Sequence, residues 1–240
     1  LYACGPPLLL VDATVAFVNA PFVRRRMNPA AKSTSERTTQ ADRRARTRAA
    51  MVESAERGIA RDGYANLVLE RVAHDAGYTR GALYHLFANK EELALAVVRS
   101  IEEDWWEKKG QIVGDEADPV SAMVALARGY AVYARRDPSR VMRILRAEFE
   151  GRGQDHAVGR AVKDVLERVI EDSIQFITAG RSTGVIPPGP PPRQLALAWV
   201  GCIEGLVVYL AGDAPHDELL AERATLGLLG LPLPSGHADA

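Results

Sequence analysis

Apolar residues in this chain recur with the period of a helix, and Pro and Gly clusters cut that pattern into short lengths. Leu93, Val97, Ile101 and Trp105 step by four. Val120, Met123, Val124, Ala127 and Ala131 follow i, i+3, i+4 spacing, as do Val158, Val162, Val165, Leu166, Val169 and Ile170. The breaks fall at Gly110 to Pro119, Asp137-Pro138, Gly151 to Gly153 and Gly180 to Pro192. Strand-like alternation occurs over no useful length. The expectation is an all-α protein of about nine or ten helices. Asp118-Pro119 and Asp137-Pro138 each place a capping carboxylate before a proline at the first helical position, and Pro192 opens a helix in the same way. Gly110, Gly151 and Gly180 are placed to stop helices.

A length of 240 residues allows one or two domains, and 47% hydrophobic residues excludes a disordered chain. The formal net charge of −1, from 30 Lys+Arg and 31 Asp+Glu, speaks as a whole against electrostatic binding of nucleic acid. Its distribution says otherwise. From Arg24 to Arg48 nine basic residues face two acidic ones, a net +7, which leaves −8 on the rest of the chain. Cys4 and Cys202 make no disulfide framework. His74, His85, His156, His216 and His237 are scattered, with no pair at i, i+4, so neither a metal nor a cofactor is expected. No Gly-x-Ser-x-Gly, P-loop or dinucleotide fingerprint is expected either. Glu102-Glu103-Asp104 and Glu148/Glu150 read as solvated faces, and no catalytic residue is assigned.

Two apolar stretches raise the question of a membrane. Leu8 to Val23 is followed, not preceded, by the basic cluster Arg24-Arg25-Arg26, which is the wrong order for a signal peptide. It is short and carries Asp12, Asn19 and Pro21, which argues against a span. Residues 1–26 are expected to be an extension foreign to the fold, with Met27 as the native start. Residues 1–40 as a whole are expected to be this extension plus a basic arm. Gln194 to Gly212 holds only Glu204 as a charged side chain. A carboxylate there is costly in lipid, so a mostly buried helix of a protein without a membrane partner is expected.

Residues 41–101 are punctuated as four helices. The first, Ala41 to Asp62, buries Met51, Ala55 and Ile59, and Gly63 ends it. The second, Leu69 to Ala76, turns Leu69, Val72, Ala73 and Ala76 inward. Gly77 can take positive φ in the turn, and Thr79 can cap a third, short helix from Arg80 to Phe87. Leu83, Leu86 and Phe87 share one face of that helix, which leaves Arg80, Gly81, Tyr84 and His85 on the others. Asn89 caps the fourth helix, with Glu92 completing a capping box. Two short helices joined by a Gly-containing turn make a helix-turn-helix, whose second helix enters the major groove of DNA. Arg80 at its start can reach guanine or phosphate, and Lys90 suits a phosphate. Periodicity alone fits an ordinary helical hairpin equally well.

The run Ala76-Gly77-Tyr78-Thr79-Arg80-Gly81-Ala82-Leu83-Tyr84-His85-Leu86-Phe87-Ala88-Asn89-Lys90-Glu91-Glu92-Leu93 resembles the signature of the TetR family of transcriptional regulators. Thr-Arg-Gly-Ala-Leu-Tyr looks most like the branch that represses multidrug-efflux genes. The resemblance implies that Thr79, Arg80, Gly81, Tyr84 and His85 face DNA, with Lys90 on the backbone and Arg46 of the first helix in support. One departure stands out: Leu67 and Val68 occupy positions where the family usually has Thr or Ser meeting phosphate. Asn66 is a candidate cap for the second helix in their place.

Residues 102–230 form the larger helical part, followed by a tail at 231–240. The resemblance implies that this part binds a small-molecule effector and makes a homodimer through its last two helices. Leu195, Trp199, Cys202, Leu206 and Leu210 form one stripe, and Leu197, Val200, Ile203 and Val207 another, one for the chain's own core and one for a partner. Ala198, Gly201, Gly205, Leu219 and Leu226 are the interface candidates. Candidate pocket residues are Trp105, Met123, Tyr130, Tyr133, Met142, Phe149, Phe176 and Trp199. Glu204 either lines this pocket or pairs with an Arg at the interface rim. The combined expectation is an all-α chain with an N-terminal helix-turn-helix DNA-binding domain and a larger C-terminal ligand-binding and dimerisation domain. Its expected role is a cytoplasmic, ligand-responsive repressor of a palindromic double-stranded operator, not an enzyme. Activation of transcription, and a helical ligand-binding or catalytic protein with a vestigial helix-turn-helix, are the alternatives.

Overall fold

The computed structural model describes residues 39–114, 118–150, 156–210 and 213–233. Among them are nine helices and no strand: α1 (Gln40–Asp62), α2 (Leu69–Asp75), α3 (Arg80–Leu86), α4 (Lys90–Val113), α5 (Pro119–Ala134), α6 (Asp137–Phe149), α7 (Ala157–Ser182), α8 (Pro192–Leu210) and α9 (His216–Leu228). The expectations placed on residues 1–38, on Gly151 and on residues 234–240 lie outside the described residues. Arg43, Arg44, Arg46 and Arg48, the end of the basic run, are helical residues of α1.

Local chemistry sets the helix ends, with some differences from the sequence reading. α1 starts with a reciprocal box: Asp42 N donates to Thr39 Oγ1 at 3.1 Å and Thr39 N donates to Asp42 Oδ2 at 2.9 Å. Asp118 caps α5 as expected, accepting from Val120 N at 3.0 Å and Ser121 N at 3.2 Å. Asp137 does not cap α6; it is already the first helical residue, and the cap Arg136 makes no side-chain hydrogen bond. Gly110 does not stop α4, which runs on to Gly114, where φ is +64°. Gly180 lies inside α7, and its missing side chain serves packing. A Cβ there would meet Ile186 Cδ1 at 2.5 Å and Cγ1 at 2.6 Å. Gly180-Arg181-Ser182-Thr183-Gly184 does spell Gly-x-Ser-x-Gly. It lies at a helix end, where Ser182 Oγ donates to Ala179 O at 2.8 Å, and no strand leads into it as a nucleophile elbow requires.

Two apolar cores result. The first joins Met51, Ala55 and Ile59 of α1, Val72 of α2, Leu83 of α3 and Leu93 and Val97 of α4 to Val141 and Leu145 of α6 and Val158 of α7. The second joins Met123 and Ala127 of α5, Ile170 and Ile177 of α7, Trp199 and Ile203 of α8 and Ala221 of α9. The boundary expected at 101/102 therefore falls inside α4, and the first core crosses it. α9 is pinned to α5 by Arg135, which donates to Asp217 at 2.6 Å and Glu218 at 2.8 Å. The Arg135 guanidinium holds the Asp217 carboxyl below the usual range. Trp199 Nε1 donates to Thr225 Oγ1 at 2.9 Å, which ties α8 to α9.

Ile186 is buried and cannot swing away from position 180. Gly180→Ala is expected to lower the unfolding free energy by about 1–3 kcal/mol in urea denaturation. An unchanged midpoint would show that Gly180 is not fixed by this contact.

Candidate nucleic-acid interface and internal cavity

The turn between α2 and α3 satisfies its own backbone. Tyr78 N donates to Ala73 O and Gly77 N to His74 O, both at 2.9 Å, and Gly77 has φ +78°. This is the Schellman arrangement, and its left-handed residue favours glycine. Thr79 Oγ1 then accepts from Ala82 N at 3.2 Å and starts α3. Ser54 Oγ of α1 donates to Val72 O at 3.0 Å, fixing α2 from below. Leu83 and Phe87 point into the core, while Thr79, Arg80, Gly81, Tyr84 and His85 are all exposed on the outer side. Arg46 is exposed on α1.

Four details are not legible in the sequence. Arg80 Nε lies 3.1 Å from Glu70 Oε1 of α2, and its guanidinium carbon sits 5.3 Å from the Tyr84 ring centre. The terminal nitrogens of Arg80 thus remain free for a two-pronged contact with a guanine edge. Glu70 was missed because it is ten residues from Arg80 across a turn, outside any local spacing rule. Lys90 differs from its expected place on a phosphate: its ammonium donates to Ala65 O at 2.8 Å and covers the Tyr64 ring at 4.6 Å. Burial lowers its pKa. Asn66 does not cap α2, since its amide donates to Asp62 O and the cap position, Val68, makes no side-chain hydrogen bond. Leu67 is instead core, against the bare backbone of Gly58, where a Cβ would meet Leu67 Cδ1 at 2.7 Å.

A cavity of about 140 Å3 lies among α4 to α8. Of the candidate pocket residues, Trp105, Tyr130, Tyr133, Met142, Trp199 and Glu204 line it. Met123, Phe149 and Phe176 do not. Met123 is fully buried in the second core, and Phe176 packs against that core. Phe149 belongs to the first core, between Tyr64 at 5.1 Å and His156 at 4.1 Å, ring centre to ring centre. Glu204 accepts a hydrogen bond from the Tyr130 hydroxyl, and burial followed by this carboxylate pushes the tyrosine pKa up. Arg143, absent from the sequence-based candidates, also lines the cavity and donates to Ser139 Oγ at 2.7 Å.

Among the described residues α8 is the one helix long and apolar enough to cross a membrane. Its inner face, Leu195, Ala196, Trp199, Val200, Ile203 and Val207, is buried in the second core, so Val200, Ile203 and Val207 do not form a separate outer stripe. The outer face carries Leu197, Ala198, Gly201, Val208 and Tyr209, the last 87% exposed. On α9 the exposed leucine is Leu220. Leu226, expected at the interface, is turned inward and buried, and Leu219 is half-buried.

Residues 51–97 match the family described as bacterial regulatory proteins, tetR family. The HTH-type transcriptional regulator TtgR of Pseudomonas putida is 40% identical over 79 residues, 32% of this chain and 37% of that protein. The helix-turn-helix domain is that of the TetR family. The matched segment spans little more than a third of TtgR. The likeness in fold reaches further. A TetR transcriptional regulator from Chloroflexus aurantiacus superposes with a TM-score of 0.66 at 22% identity, over 78% of this chain and 94% of its own. AibR, solved with isovaleryl coenzyme A and operator DNA, gives 0.61 at 21% identity, over 78% and 100%. An N-terminal helix-turn-helix followed by a larger helical part is thus the fold of TetR-family structures.

The Glu70–Arg80 pair is exposed, so it is worth about 1 kcal/mol or less. In the TetR-type domain Glu70→Ala is expected to raise affinity for random duplex DNA while lowering the ratio of specific to random affinity about fivefold, read by fluorescence anisotropy. An equal rise on both DNAs would mean that Glu70 only repels phosphate and does not orient Arg80.

Proposed function

We propose that the protein is a homodimeric transcriptional repressor that binds a palindromic operator and is released from it by a small molecule in the cavity. The observation that carries this reading is the exposed row Thr79, Arg80, Gly81, Tyr84 and His85 on the second helix of a TetR-type domain. A helix so presented fits the major groove, with its first residues at base edges. Arg46 lies on α1, where a cation can meet the phosphate backbone. AibR, of like fold, was solved with both operator DNA and an acyl coenzyme A, which supports pairing the two ligands in one chain.

The outer face of α8 supports the dimer. Gly201 and Gly205 have nothing within 4 Å of a Cβ position, so nothing inside the chain requires them to be small. With Ala198, they allow close approach of a second copy, with Leu197, Val208 and Tyr209 as the apolar surface to be covered. Two-fold symmetry then explains a palindromic target.

Release follows from shared helices. α4 carries Leu93 and Val97 in the helix-turn-helix core and Trp105 and Lys109 at the cavity. α6 carries Val141 and Leu145 in that same core and Ser139, Met142 and Arg143 at the cavity. A ligand that shifts either helix also shifts the recognition helix, and a coupling of about 1–3 kcal/mol changes operator affinity by about 5–150-fold.

Footprinting on the DNA flanking the gene tests the reading. Two protected half-sites about 34–36 Å apart are expected. Arg80→Ala should lose about 1–3 kcal/mol on that site and far less on random DNA. A folded dimer that protects no inverted repeat would contradict the proposal.

A further inference from the structure

We infer that the cavity takes a small, uncharged, single-ring molecule bearing a hydroxyl group, held between Glu204 and Arg143. The inference deepens the regulator reading by naming the ligand class of its cavity, and its test is arranged to succeed or fail separately.

Size comes first. A cavity of about 140 Å3 is close to the ~150 Å3 that holds one benzene ring. Its surface is aromatic: Trp105 meets Tyr130 at 5.4 Å and Tyr133 at 5.3 Å between ring centres, and Trp199 lies in the same wall. Flat rings packed edge to face favour a flat guest.

Charge decides the class. Three carboxylates, Glu102, Asp172 and Glu204, and three cations, Lys109, Arg143 and Arg146, line the wall. Asp172 is paired with Lys109, and Glu102 with Arg168 and the Trp106 indole. Arg146 is exposed to solvent. Glu204 and Arg143 remain, half-buried and of opposite sign, and the Tyr130 hydroxyl feels both. An anionic guest would gain Arg143 but face Glu204. A cationic guest would gain Glu204 but face Arg143. Either would leave water for a site where its charge is not fully compensated.

A neutral hydroxyl meets neither penalty. It donates to the Glu204 carboxylate, which has acceptor sites beyond the one Tyr130 uses, and accepts from Arg143, which has donors beyond the one given to Ser139. Tyr130 is itself an internal example: a half-buried neutral phenol with its hydroxyl on Glu204.

Calorimetric titration of the DNA-free protein with phenol, benzoate, benzylammonium and benzene tests this. Phenol is expected to bind at least tenfold more tightly than either ion and more tightly than benzene. Glu204→Gln should shift the preference toward benzoate by tenfold or more, and Arg143→Gln should shift it toward benzylammonium. Circular dichroism of both variants establishes that they are folded. A packing role for these residues would weaken all four probes together and leave the ratios unchanged. The inference is overturned if either ion outbinds phenol on the unaltered protein, if the folded variants keep its selectivity, or if no probe binds at millimolar concentration. Operator affinity with and without phenol is measured separately. Phenol binding without any effect on DNA would contradict the regulator reading and leave the ligand class intact.

Discussion

Everything in this molecule hangs on the burial of one apolar core by helices that come from both halves of the chain. α4 is a single helix of 24 residues, about 36 Å long. Its first turns bury Leu93, Ala94, Val97 and Val98 under the helix-turn-helix, and its later turns present Trp105 and Lys109 to the cavity. α6 repeats the arrangement on a shorter scale, with Val141 and Leu145 fully buried against α1 and α4 while Met142 and Arg143 face the cavity. Because a close-packed core resists continuous deformation, neither helix can move at one end without cost at the other. The helix-turn-helix core and the cavity wall thus share two helices, α4 and α6.

The exposed face of α3 follows from the same economy of parts. Leu83 and the cap residue Phe87 anchor α3, with Ala82 and Leu86 half-buried against the same core, and the Gly77 turn fixes its direction, which leaves Arg80, Gly81, Tyr84 and His85 facing outward. Arg80 is then held at its Nε by Glu70, with its terminal nitrogens left available. Lys90 works in the opposite sense. Its ammonium is committed to Ala65 O and the Tyr64 ring, joining the loop before α2 to the start of α4. One cation is displayed and the other is structural, although both were expected at DNA.

What the sequence revealed depended on range. Thr79, Gly77, Asn89 and Asp118 act through backbone groups two to five residues away, and their roles were legible from spacing alone. Asp137 misled because a proline fits either the first or the second position of a helix. Gly180 misled because glycine serves helix termination and close packing alike, and Ile186, which decides the case, is a tertiary partner; nothing packs against the Cβ position of Gly110, and no contact explains that glycine. The cavity divides in the same way. Six of nine proposed residues line it, and the four aromatic ones, on α4, α5 and α8, lie on helix faces that periodicity shows. Phe149 has the same composition signal but lies at the other end of α6, against Tyr64. Glu70 and Arg143 gain their roles only from partners that folding brings near.

The claim that one core serves both halves is tested most directly by hydrogen exchange in Leu145→Ala. Leu145 is fully buried on α6, and its truncation removes about 2–5 kcal/mol of packing. If the core is shared, protection of the α1 amides of Met51, Ala55 and Ile59 falls along with that of α6. Unchanged protection in α1, with faster exchange confined to α6 and α7, would contradict the account.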